Sequence, residues 1–167
     1  MLPSLSPDAT GVEADLAAFF GPEAEVYLRH YRGRAAGRSV FAWSWPAFGA
    51  SLAWFWYRKL WLGGLLALAL PMAGSWLPGG DLIGYLLAVL LAKECYLRAA
   101  LAARAEADAA KLTGDRRRDF LARRGGTSRP AGVIGGVLVV ALGVVASLAV
   151  LPEILQQLSA AGVLPLP

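Results

Sequence analysis

Apolar residues run without a charge from Ala131 to Leu151, AGVIGGVLVVALGVVASLAVL, between Arg129–Pro130 and Pro152–Glu153. A helix of that length reaches roughly 31 Å, enough for a bilayer core of about 30 Å. The pattern predicts a membrane span that stops at Pro152–Glu153. A second apolar block, Leu60 to Ala92, is interrupted by SWLPGGDL, in which Pro78-Gly79-Gly80 followed by Asp81 signals a turn. It predicts a helical hairpin with limbs at 60–77 and 82–97. Each limb is somewhat short, at roughly 24–27 Å, and snorkelling basic ends make up the difference. Beyond the second limb, LAKECYLRAALAARAEADAAKL has no breaker before Gly114. Glu94/Arg98, Arg104/Asp108 and Asp108/Lys111 stand at helical spacings, which predicts an exposed helix leaving the bilayer. GDRRRDFLARRGGTSRP follows as a basic connector. In it Phe120–Leu121 returns to the membrane surface, and Thr127 or Ser128 caps the next span. Residues 12–31 read as two short amphipathic helices around Gly21-Pro22, with apolar positions Leu16, Phe19 and Phe20, then Val26, Tyr27, Leu28 and Tyr31.

Aromatic residues break this rhythm at one place. Phe41–Trp61, FAWSWPAFGASLAWFWYRKLW, holds five of the six tryptophans. Indoles suit the membrane–water interface, with an apolar ring on one side and a wet N–H on the other. Charge then orients the chain. Arg29, Arg32, Arg34 and Arg38 precede the block, Arg58–Lys59 end it, and ten Lys and Arg lie between Lys93 and Arg129. The 71–81 turn and the tail after Leu151 have none. With the amino terminus cytoplasmic and three spans, all 16 Lys and Arg fall on the inner side or at its rim. Trp45–Tyr57 then does not cross: it lies in the interface or dips in and returns, as a helix with Pro46 in its first turn. The competing reading makes Trp45–Leu62 a full span, and then either a fourth span returns the basic loop inside or ten positive charges are exported. Arg29 and Arg32 either meet anionic headgroups or belong to a solvated helix, and both readings stay open.

Composition narrows the class. Hydrophobic residues make up 57% of the 167 residues and charged residues 17%, fewer than the roughly 25% of a soluble domain. The first residues lack the basic start of a cleavable signal peptide. With the basic residues at a membrane face, the net charge of +4 does not point to nucleic acid. One cysteine, Cys95, excludes an internal disulfide, and no Cys/His cluster has metal-ligand spacing. His30, the single histidine, reads as a surface residue. No nucleophile elbow or phosphate-binding loop occurs. The expectation is therefore no catalytic residue, no cofactor and no metal. Lys93 and Glu94, near the inner end of the second limb, are the polar residues at membrane depth. Gly84, Ala88 and Ala92 on the second limb, and Gly132 and Gly136 on the third span, form small-residue stripes for close helix packing.

Trp43, Trp45, Ala47, Phe48, Trp54, Tyr57, Arg58 and Lys59 form a Trp-x-Trp-x-Ala-Phe segment leading to Trp-x-x-Tyr-Arg-Lys. With Tyr96 in the second limb and the later Gly125-Gly126-Thr127-Ser128, they resemble the bacterial inner-membrane family known as domain of unknown function 2628, over roughly residues 15–135. Ser44 and Pro46 stand where that family often has Asn and a non-proline, and Ala92-Lys93 where it often has Gly-Asn. The resemblance implies an integral inner-membrane protein and supplies no catalytic residues.

The expected fold is an all-α integral membrane protein with three transmembrane helices, an aromatic interfacial or re-entrant helix and short cytoplasmic helices. Its parts are a basic amphipathic segment (1–40), the aromatic helix (41–59), the hairpin (60–101), a basic helix and connector (102–129), the third span (130–151) and a periplasmic tail (152–167). The expected function is a non-enzymatic scaffold or accessory subunit of a membrane complex, with a membrane-protein partner or a second copy of itself. One alternative is a small oligomeric transporter or channel component, with Lys93, Glu94 and Arg58 facing a shared cavity. Another is binding of anionic lipid by Arg58, Lys59 and the tryptophans.

Overall fold

The computed structural model describes the backbone of residues 7–161 and the side chains from residue 11. The ends of the 1–40 segment and of the 152–167 tail lie outside it. Every regular element among the described residues is helical. In chain order these are α1 (Pro7–Phe20), a 3-10 turn (Gly21–Glu23), α2 (Ala24–Ala35), α3 (Trp45–Tyr57), α4 (Trp61–Gly74), α5 (Gly80–Ala109), α6 (Gly114–Arg124) and α7 (Arg129–Ala160).

The long helix α5 joins two halves. Its first half packs against α4, and its second half carries a helical head of α1, α2 and α6. Ala92, Tyr96, Ala100, Ala103 and Ala107 form one buried stripe along it. Four of these are alanines, so α1 and α6 approach the helix closely, and Leu16, Phe19, Phe20 and Leu121 fill the space beside them. The second half of α5 is therefore not the exposed helix that its charge pairs predict. Arg104 meets Asp15 at 3.1 Å and Asp108 meets Arg117 at 2.6 Å, instead of Asp108 meeting Arg104 or Lys111. Leu121 is likewise inside the protein core and not on a membrane surface. Partners on other helices win because they bring apolar burial with them, whereas a local pair on a solvated face contributes only a few tenths of a kcal/mol.

Asp15 fastens α1 to α5 and α6. Arg117 donates to its two oxygens at 2.8 and 2.7 Å, and Arg104 adds a third bond at 3.1 Å. The Arg117 bonds are the main cause that holds this carboxyl below its usual range. A lowered folded-state value stabilises above the unfolded value, and that stabilisation is lost as pH falls through the folded one. Asp15→Asn is expected to cost about 1–2 kcal/mol at neutral pH. The gap between wild type and variant, read from denaturation midpoints, should close as pH drops below about 4.

α3 starts with Pro46 in its first turn and bends at Ser51, which takes φ 43°. Its second half packs on α4, where Gly63 and Gly64 face Phe55, Trp56 and Leu52. α4 ends at Gly74, sooner than the predicted limb. Pro71 lies inside it without an N–H to donate, the Ser75 hydroxyl bonds the Met72 carbonyl at 2.7 Å, and Gly74 lies against the backbone of Gly80. The turn is thus pinched before Pro78 is reached.

α7 packs on α3 through its first turns only. Ala131 and Gly135 are buried, and from Val139 to Gln157 every residue is exposed. Gly132 meets Tyr57 and Gly135 meets Ala53, but Gly136 faces open space. The close-packing pair is Gly132/Gly135, not Gly132/Gly136, because the register against Ala53 selects the face. The helix also continues through Pro152 to Ala160, past the stop read at Pro152–Glu153. A proline removes one helical bond without forbidding the turns that follow, and Ile154-Leu155-Gln156-Gln157-Leu158 suits a helix.

Candidate functional site

The junction between head and hairpin collects most of the distinctive residues. Arg58, at the end of α3, is buried at 4% exposure. Its guanidinium carbon lies 5.4 Å from the ring centre of Tyr27, 5.7 Å from Tyr57 and 5.3 Å from Tyr96. It also forms an ion pair with Glu23, which stands at the mouth of this cage. Tyr96 packs against Phe19, Phe20 and Trp54 as well. Burial pushes the Tyr27 hydroxyl up to about 12, so the phenol stays neutral beside the cation.

Lys59 takes φ 58°, a left-handed turn after a helix that usually calls for glycine. It sends the chain back as α4, with Leu60 N–H bonded to Phe55 at 2.8 Å. Its ammonium donates to the carbonyls of Arg123 and Gly125 at 2.9 and 2.8 Å, capping α6. Arg58 is thus engaged inside the protein, and Lys59 is held by the end of α6.

Gly125-Gly126-Thr127-Ser128 completes the junction. A Cβ on Gly125 would lie 2.1 Å from the Phe19 carbonyl oxygen, so only glycine fits. Gly126 takes φ 68° and donates to the same carbonyl at 2.9 Å. The Tyr96 hydroxyl points at the Gly126 carbonyl at 3.4 Å. Ser128 donates its N–H to Tyr57 at 2.7 Å, and its hydroxyl caps α7 at Ala131. Thr127 is exposed. These residues tie α1, α3, α6 and α7 together.

Four further aromatic residues form a second group. Trp43, Trp45 and Phe48 pack on one another at 5.2–6.0 Å, and Phe48 packs on Tyr85 at 5.7 Å. The Tyr85 hydroxyl bonds the Phe48 carbonyl, and Ala42 N–H bonds Leu90 at 3.0 Å. Ala47 is fully buried nearby. The chain therefore runs as an extended arm along α5 from beside Lys93 to beside Tyr85. It then returns through α3 to Arg58 beside Tyr96. Both ends of this excursion thus meet α5 beyond Tyr85, away from the α4–α5 turn. Of the tryptophans, Trp54 is buried, while Trp45, Trp61 and Trp76 are 71%, 55% and 90% exposed.

His30 is not a surface residue. Its side chain is 8% exposed and its Nε2 lies 3.4 Å from Glu94. Burial holds the imidazole below its usual range. Arg34 and Arg98 also meet the Glu94 carboxylate, at 3.3 and 3.0 Å. This cluster joins α2 to α5, and sequence reasoning missed His30 and Arg34 in it. The i,i+4 spacing of His30 and Arg34 on an amphipathic helix was the available signal. Arg32 turns the other way and grips Glu13 at 2.9 and 2.7 Å. Arg58 and Lys93 open to separate pockets, not to a shared cavity. No group of three His, Cys, Asp or Glu gathers among the described residues.

Comparison with protein-family models, with curated proteins and with solved structures finds no match to this chain, so the family resemblance rests on the residues named for it.

Proposed function

We propose that the protein is a non-enzymatic scaffold or accessory subunit of a bacterial inner-membrane complex, with its helical head cytoplasmic and the end of α7 periplasmic. The bare surface of α7 carries this reading. It is long and apolar enough to cross a membrane, and almost none of its apolar stretch is covered by its own chain. The hairpin supports it, since Leu62, Leu65 and Leu66 of α4 are exposed too. α4 alone is only about 21 Å long, so the hairpin crosses with help from the turn and from local thinning of the bilayer.

In this reading α3 is re-entrant. The extended arm enters, the helix returns, and Arg38 and Arg58 stay on one side. The aromatic group around Trp45 then sits within the bilayer and the Arg58 cage at its inner face. The membrane half anchors, and the head, stitched by ion pairs, presents a rigid surface. The motif residues hold the two together, which suits a structural role.

Topology and assembly test this separately. In a Cys95→Ala background, Trp76→Cys is expected to react with impermeant reagent only from the periplasmic side, and Arg118→Cys only from the cytoplasmic side. Labelling of both from one side overturns the hairpin topology. In native electrophoresis of gently solubilised membranes the protein is expected in a larger assembly. A monomer with nothing co-migrating overturns the accessory role.

A further inference from the structure

We infer that a pocket between α2, the arm after it and α5 binds a phosphate or phosphomonoester group. The pocket holds about 310 Å³ and its cationic lining is Arg29, Arg34, Arg38 and Lys93. No carboxylate lines it. Glu94 lies behind the wall and already meets Arg34 and Arg98. Arg29, Arg38 and Lys93 form no ion pair among the described residues. Cations converging on one pocket repel each other until an anion arrives. His30 lines the same wall, with its Nε2 turned to Glu94 at 3.4 Å.

The site is built, not a loose collection of surface charges. α2 ends in a turn in which Arg38 N–H bonds Gly33 at 2.9 Å and Gly37 N–H bonds Arg34 at 3.0 Å. Gly37 takes φ 79°, the left-handed position that closes this kind of helix end. The turn folds Arg38 back over α2, so that a Cβ on Gly33 would lie 3.3 Å from the Arg38 side chain. Arg34 donates to the Arg38 carbonyl at 3.0 Å. Guanidinium forks offer paired donors that match phosphate oxygens, and the double charge of a phosphomonoester suits several cations at once.

Two sources share this chemistry. Val26 and Phe41, both about half exposed, flank the mouth, where they would meet the acyl region of a phospholipid whose phosphate fills the pocket. A soluble phosphomonoester needs only the cations. The inference does not depend on the accessory role.

The full chain in phosphatidylcholine nanodiscs is titrated with inorganic phosphate by calorimetry. In parallel, nanodiscs containing phosphatidic acid are analysed by native mass spectrometry for retained lipid. Saturable binding of at least one probe at physiological salt is expected. Arg29→Gln/Lys93→Gln, and separately Arg38→Gln, should weaken it about tenfold. Arg116→Gln/Arg118→Gln, the same charge loss on exposed α6 residues, should leave it unchanged. Phosphate binding alone assigns a soluble ligand, and retained phosphatidic acid alone assigns a lipid. Binding of neither probe, or equal weakening by both double variants, overturns the site. Unchanged helical circular dichroism in Arg38→Gln, an exposed loop residue, separates loss of binding from loss of fold.

Discussion

Gly84→Leu is expected to unseat the α4–α5 hairpin and lower stability by about 3 kcal/mol. A Cβ at this position would lie 2.4 Å from the Leu70 carbonyl oxygen, 2.6 Å from its carbon and 2.8 Å from the Pro71 nitrogen. All are backbone atoms, so no side chain can rotate away. The two helices must separate, and they lose the packing around Ala67 and Ala88. In the proposed topology the hairpin lies in lipid, where apolar burial cannot hold helices together and close backbone approach does it instead. The matched control is Gly136→Leu. It meets nothing within 4 Å and should change stability by less than about 0.5 kcal/mol. Denaturation in detergent reads both. A Gly84→Leu protein as stable as wild type would show that the hairpin is not packed this way.

Contrasts of this kind show where sequence runs out. Most helical segments were legible because breakers mark them: Gly21-Pro22, Pro46 and Pro78-Gly79-Gly80 stand at or beside helix ends, whereas 114–124, read as a basic connector, forms the helix α6. Gly84, Ala88 and Ala92, read as a stripe from their spacing, are all buried. Which glycine of α7 meets α3 was not, since Gly132, Gly135 and Gly136 lie on adjoining faces and Ala53 decides among them. Ion pairs misled in the same way. Asp108 has Arg104 one turn before it, yet it pairs with Arg117 across a loop. His30 and Arg58 each look solvated in their own segment. Their burial comes from helices distant in sequence, which no local pattern encodes. The tryptophan block showed its affinity for an interface. It did not show that its second half would serve as core, with Trp54 and Phe55 buried while Trp45 stays exposed.

Arg58→Ala is expected to cost about 3 kcal/mol, and the cage, not the ion pair, should account for it. Glu23 is 60% exposed in its side chain, so its attraction is screened by water and contributes under about 1 kcal/mol. The rings of Tyr27, Tyr57 and Tyr96 surround a desolvated guanidinium, and contacts of that kind are worth about 1–2 kcal/mol each at best. Removing the side chain also leaves a gap among Tyr27, Tyr96 and Trp54, where α1, α2, α3 and α5 meet. The series orders itself accordingly. Glu23→Gln should be nearly silent, Arg58→Lys intermediate because an ammonium lacks the flat face that stacks on rings, and Arg58→Ala the most damaging. Detergent denaturation midpoints measure the order. If Glu23→Gln costs as much as Arg58→Ala, the ion pair holds the junction and the cage does not. If Arg58→Lys matches wild type, charge alone suffices, and the flat guanidinium at the end of Trp54–Phe55–Trp56–Tyr57 has no special part in joining head to hairpin.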